Sequence, residues 1–459
     1  MDSRAKAGAS SFKLGVGPMH VIGLLMLALG VLAFSLISRP LTQSFVTPPM
    51  AFAAFGLAMG EAGLGWFDLD LDHGFIHVIA EFTLVINLFS DASRIRLGAL
   101  ARDHDIPVRL LTIALPLTVF AGGAAALGLF PGLSIWSALL LAAILAPTDA
   151  ALGQAVVSSP KVPVKIRQAL NIESGLNDGL ALPAVLFLAA CASMHGGGDD
   201  SPIAWLQFAV VQIFVGGAIG IGAGFLAGTV MCYCVGRGWL AEGFKGIGSL
   251  AIALAAFAAA EQLGGNGFIA AFAAGLIYGN MGHKHAESLL RFSETEGQLL
   301  TLITFFVFGA VILPEAAPHA DMLTFVYAAL SLTVVRMLPT ALALTGLRLR
   351  GASIAFLGWF GPRGLASILF VLLIAEEPGL ADYELIFNVT AITVALSIIL
   401  HGLTANAGAA AYAARLAALR QRDMCRAELE PVAEMPHGVG VARGRASSST
   451  AQPIQGAKA

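Results

Sequence analysis

The chain has 459 residues, 57% of them hydrophobic and only 12% charged. That is too apolar for a water-soluble domain of this length and predicts an all-α polytopic membrane protein. The net charge of −3 excludes little by itself, because the distribution of charge matters more than its sum.

Residues 1–18 read as a polar leader. Apolar runs then predict about thirteen transmembrane helices in one membrane domain over 19–416. The first three fall near 19–37, 48–65 and 73–90, and the third carries Glu81 close to its midpoint. A fourth runs over 108–129. The fifth, 133–158, places Pro147, Thr148 and Asp149 in the middle of an apolar run. The sixth, 165–191, holds Glu173, Ser174, Asn177 and Asp178. The seventh, 204–234, has Gly216, Gly220, Gly224 and Gly228 at four-residue intervals, a strip suited to close helix packing. Runs at 246–262, 264–281 and 298–313 follow. The eleventh, 322–347, centres beside Arg336, and the twelfth, 351–375, holds Pro362 and Arg363 between two glycines. The thirteenth covers 384–414, and residues 417–459 read as a disordered tail. Most histidines fall at loop or span ends, every lysine falls outside the spans, and Cys191, Cys232, Cys234 and Cys425 lack the spacing of a metal site.

Charge asymmetry sets an expected orientation. Alternating loops carry Arg94, Arg96, Arg102 and Arg109, then Lys161, Lys165 and Arg167, then Arg348 and Arg350. The opposite loops carry Asp68, Asp70, Asp72, Asp199 and Asp200. The C-terminus is therefore placed in the cytoplasm and the N-terminus outside, against the basic residues of the leader.

Carboxylates at mid-membrane cost about 2.5–3.5 kcal/mol each on insertion scales and default to a functional reading. Glu81, Asp149, Glu173, Asp178, Arg336 and Arg363 all fall near one plane. Four acids against two bases favour a cation or a proton. Ser174 and Asp178, four apart, share one helix face and can present a hydroxyl and a carboxylate to an ion. Glu173 and Asn177 share a neighbouring face, where Glu173 can anchor Arg336. Arg363 can offset the carbonyl ends of a broken helix. Pro147 and Pro362 interrupt two spans seven apart, which makes those spans antiparallel. Such a pair marks an inverted-repeat transporter site, here two six-helix repeats joined by the seventh span. The same acids also allow a purely structural buried pair, or a channel or sensor without coupled transport.

The segments APTDAALG, NIESGLNDG, VVRMLP, GPRGLAS and EQLGGNGFIAAFAAGLIYG lie in the family order of the NhaP-type cation:proton antiporters, which the chain resembles. That resemblance implies a homodimer in the plasma membrane with no cofactor and no enzymatic activity. It implies a mobile core near 108–191 and 322–414, and a dimer scaffold near 19–90 and 204–313. Asp178 would be the main carboxylate for H+ and a monovalent cation, Na+ or alternatively Li+ or K+. Asp149, Ser174 and the Thr148 backbone would surround the ion; Glu81, read from its midplane position alone, is either an accessory ligand or an isolated protonated acid. Glu173, Asn177 and Arg336 would hold the geometry. Asn177 stands where electrogenic relatives carry a second aspartate, which implies one-for-one, electroneutral exchange.

Overall fold

A computed structural model describes residues 18–42, 44–66, 73–95, 97–100, 104–194, 202–281, 286–376 and 379–420. The leader up to residue 17, the tail beyond 420 and the loop acids Asp68, Asp70, Asp72, Asp199 and Asp200 lie outside the described residues. Every regular element among the described residues is helical.

The helices follow the apolar runs, because in lipid a helix is the way for an open chain to satisfy its own backbone. They are α1 (Pro18–Thr42), α2 (Pro48–Met59), α3 (His73–Arg94) and α4 (Asp105–Leu129). Next come α5a (Ile135–Ile144) with α5b (Ala150–Val157), α6 (Val164–Met194) and α7 (Pro202–Gly236). Then follow α8 (Glu242–Gln262), α9 (Gly267–Met281) and α10 (Ala286–Val307). The last are α11a (Met322–Leu332) with α11b (Val334–Ala343), α12a (Gly351–Trp359) with α12b (Leu365–Leu373), and α13 (Tyr383–Arg420). Seven of the described helical stretches are long and apolar enough to cross a membrane, so the protein is multi-pass.

The predicted interruptions are present. The fifth span breaks between Ile144 and Ala150, the twelfth between Trp359 and Leu365. A third break was not expected from sequence: Thr333 leaves helical geometry (φ −116°, ψ −92°) and separates α11a from α11b. Two π turns, Leu110–Ala114 and Phe308–Ile312, each precede a Leu-Pro pair. A proline ring clashes with the carbonyl four residues back, and a wider turn relieves it. Span boundaries differ as well, and α13 continues to Arg420 where the disordered tail was expected from 417. The helix in the second span stops at Met59, not 65. Lys245, placed outside the spans by sequence, belongs to the first turn of α8.

The glycine strip of α7 packs on α9. A Cβ at Gly216, Gly220 or Gly224 would collide with the main chain at Asn266, Ala270 or Ala274. On its other side α9 packs on α3, where Gly275 and Gly279 let it meet the backbone of Phe89 and Ser93. α6 stands against α3 through Gly175, which faces the Asp91 carbonyl, and against α9 through Gly179, which faces the Phe272 ring. The two broken helices therefore cross beside a wall of close-packed small residues.

Candidate functional site

A broken helix exposes backbone groups that need partners: carbonyls where the first half ends, N–H groups where the second begins. At the crossing these groups are answered largely by the other broken helix. Ser367 Oγ donates to Ile144 O at 2.7 Å. Arg363 Nη1 donates to Ala146 O at 2.5 Å and to Pro147 O at 3.1 Å. A fully buried guanidinium thus sits on the negative end of α5a.

Asp149 answers the opposite ends. Its Oδ1 accepts the Ala151 N–H at 2.7 Å, which caps α5b. Its Oδ2 accepts the Leu365 N–H at 2.7 Å, which caps α12b. Its own N–H donates to Pro362 O at 2.8 Å. One carboxylate therefore closes the positive ends of two half-helices. Glycine is required at 364 for closeness rather than for dihedral freedom, since a Cβ there would collide with the Asp149 carboxylate.

α6 supplies the third wall. Ser174 Oγ donates to Thr148 O at 2.7 Å, and Asn177 Nδ2 donates to Thr148 Oγ1 at 2.7 Å. The sequence expectation that Ser174 and Asp178 share a face holds geometrically, but the Ser174 proton is committed to a main-chain oxygen. Asp178 differs from Asp149. Its Oδ1 is buried with no hydrogen-bond partner, while the residue as a whole is partly exposed.

On the adjacent face, Glu173 Oε1 meets Arg336 Nη2 at 2.5 Å, with both side chains almost fully buried. Arg336 lies flat against Gly361, where a Cβ would strike its guanidinium. The ion pair thus joins α6, α11b and the break of α12.

The structure adds a carboxylate that sequence reading passed over. Asp91 sits on α3, and its carbonyl faces Gly175 of α6, the helix that carries Asp178. Its side chain is 37% exposed and lies 3.6 Å from Arg94 Nη1. The predicted third span ended at residue 90, so Asp91 fell into a loop. The helix in fact runs on to Arg94, and the i, i+3 spacing of Asp91 and Arg94 was the available signal. Glu81 stands ten residues earlier on the same helix, about 15 Å away along its axis, and is partly buried. Also passed over was His401, which is buried inside α13 and not at a span end.

One turn from Ser174 on α6, the Asp178 oxygen left without a partner can take up a proton.

The family model described as "Sodium/hydrogen exchanger, transmembrane" matches residues 20–407. The K(+)/H(+) antiporter NhaP of Alkalimonas amylolytica is 28% identical over 389 residues, covering 84% of this chain and 66% of that protein. Na(+)/H(+) antiporter 2 of Zygosaccharomyces rouxii is 26% identical over 414 residues, covering 80% of this chain and 50% of that protein. The chain thus spans somewhat less than two thirds of the length of these curated relatives. The structure of the sodium proton antiporter MjNhaP1 from Methanocaldococcus jannaschii superposes with a TM-score of 0.71 at 18% identity, covering 86% of this chain and 99% of that one.

Proposed function

The chain belongs to the sodium/hydrogen exchanger family, and on that premise we propose that it is a secondary antiporter exchanging a monovalent alkali cation for H+. Na+ is the first expected cargo. K+ is the alternative, because the bacterial relative is named a K(+)/H(+) antiporter.

The observation that carries this reading is the contrast between the two central aspartates. Both oxygens of Asp149 accept N–H groups, whereas Asp178 keeps a buried oxygen without a partner. Asp178 is the group left to bind a proton or a cation in turn. Competition for that one carboxylate couples the two fluxes. Asp149, Ser174 and Thr148 line the cation position. Glu173 and Arg336 hold α6 and α11b in register, Asn177 ties α6 to Thr148, and Pro147, Pro362 and Arg363 shape the crossing. Asp91 in the last turn of α3 and Glu81 near its middle are accessory carboxylates.

One charge each way makes the exchange electroneutral. The core of 108–191 and 322–414 moves against a scaffold of 19–90 and 204–313 that pairs two copies in the plasma membrane, with the C-terminus cytoplasmic and the N-terminus outside.

The test is proton flux in proteoliposomes loaded with Na+, K+ or Li+ at two pH values and several preset membrane potentials. The expected result is cation-driven flux independent of voltage, lost in Asp178→Asn while the variant still elutes as folded protein. Voltage-scaled flux would refute the stoichiometry, and full activity in Asp178→Asn would refute the assignment of the exchanging group.

A further inference from the structure

The break in α12 is held by a hydrogen-bond chain that the exchange reading does not use. His401 on α13 is 1% exposed. Its Nε2 lies 2.9 Å from the carbonyl oxygen of Trp359, the last residue of α12a. Its Nδ1 lies 3.1 Å from Ser397 Oγ, one turn earlier on α13. Ser397 Oγ in turn accepts the main-chain N–H of Arg363 at 2.7 Å.

A carbonyl oxygen can only accept, so Nε2 carries a hydrogen. With Nδ1 bare, all three bonds run in one direction. Arg363 N–H donates to the Ser397 oxygen, the Ser397 hydroxyl donates to Nδ1, and Nε2–H donates to Trp359 O. Nδ1 also lies 3.0 Å from the Ser397 carbonyl oxygen one turn back on α13; a ring protonated at Nδ1 as well would donate there, and the hydroxyl would lose its acceptor.

Both ends of the chain are groups that the break leaves open. Trp359 O lies where α12a stops, and the Arg363 N–H stands in the non-helical stretch between the halves. His401 and Ser397 tie both sides of the interruption to one continuous helix. The stretch they fix is the one that meets Asp149. Pro362 O accepts the Asp149 N–H, the Arg363 side chain holds the carbonyls of Ala146 and Pro147, and Leu365 N–H reaches Asp149 Oδ2.

We propose that His401, as the neutral Nε2–H tautomer, is a positioning residue. Through Ser397 it sets the α12 break so that Thr148 and Asp149 are presented to the transported cation. This inference rests on the exchange reading above.

The full chain is tested in proteoliposomes as His401→Phe, Ser397→Ala, the double variant, and His401→Gln, which restores a donor toward Trp359. His401→Phe is expected to raise the half-saturating cation concentration about tenfold, the equivalent of one hydrogen bond. The maximal rate per folded protein should change less, and His401→Gln should recover most of the affinity. The double variant should be no worse than the stronger single variant, since both cut one chain. Unchanged half-saturation in both single variants, or additive losses in the double, would overturn the proposal. A second measurement needs no transport: solid-state nitrogen NMR of the unaltered protein in bilayers, with His401→Phe locating the signal by difference. A neutral Nε2–H ring supports the proposal, and a charged or Nδ1–H ring overturns it. If the unaltered protein exchanges no alkali cation, the functional reading fails, and the NMR signal still decides the His401 geometry.

Discussion

Replacing Arg336 by alanine tests how the core of the site is held. Glu173 is 2% exposed and Arg336 1%. They meet at 2.5 Å, and Glu173 Oε2 has no hydrogen-bond partner of its own. Arg336→Ala removes the counter-charge and leaves a carboxylate in a dry interior beside Gly361. Breaking one side of a buried pair costs about 3–5 kcal/mol. Removing both charges together, as Glu173→Gln with Arg336→Met, leaves no buried ion and keeps most of the volume. Replacement of a whole pair by neutral groups of similar size costs about 0–1.5 kcal/mol. Arg336→Ala should therefore be roughly 2–4 kcal/mol less stable than this double variant. The measurement is thermal stability in detergent without alkali cations, read as the fraction still monodisperse on size exclusion after heating. Each kcal/mol shifts Tm by about 2–4 °C in a domain of 150–250 residues and less in a longer chain, so Arg336→Ala should lose about 5–10 °C. The double variant should regain most of it. A double variant as unstable as the sum of the singles, or an unchanged Tm in Arg336→Ala, would refute the argument that this pair is a structural clamp.

Gly364→Ala drives a methyl group into the Asp149 carboxylate. Exchange should be abolished with a stability loss of about 1–3 kcal/mol, and normal flux in the variant would show that the crossing can open without cost. Asp91→Asn removes a negative charge from the turn of α3 that packs on α6 at Gly175. The half-saturating cation concentration should rise about fivefold for a charge interaction near 1 kcal/mol, and an unchanged value in a titration of flux against cation would place Asp91 outside the site. Asp321 caps α11a, accepting the Thr324 N–H and hydroxyl at 2.8 Å each. These bonds hold its carboxyl below the usual carboxylate range. A depressed folded pKa means that the stabilisation is complete above the ordinary carboxylate value and fades as pH falls through the folded one. Asp321→Ala should thus cost about 1 kcal/mol at neutral pH, and the two melting curves should converge on acidification. A gap that persists at low pH would exclude the ionised cap.

The sequence by itself determined the class of protein and two of the three places where its spans break. Those are local properties: an apolar run is apolar whatever packs on it, and Pro147 or Pro362 disrupts a helix from within. It also singled out Asp149, Asp178, Glu173, Arg336 and Arg363, because an ionisable group in an apolar run is conspicuous without any structure. His401 was open to the same reasoning and was lost by treating histidines as span-end residues.

Tertiary structure alone decided how those groups divide the work. Leu365 N–H reaches Asp149 across 216 residues of sequence, and the Arg363 guanidinium reaches Ala146 across 217. No local pattern encodes which half-helix end faces which, since that follows from the packing of whole helices through glycine contacts. Spacing placed both Asp149 and Asp178 near mid-membrane. The crossing gives both oxygens of Asp149 to backbone N–H groups and leaves an oxygen of Asp178 without a partner. That difference arises because two dipole ends converge at a single point in space.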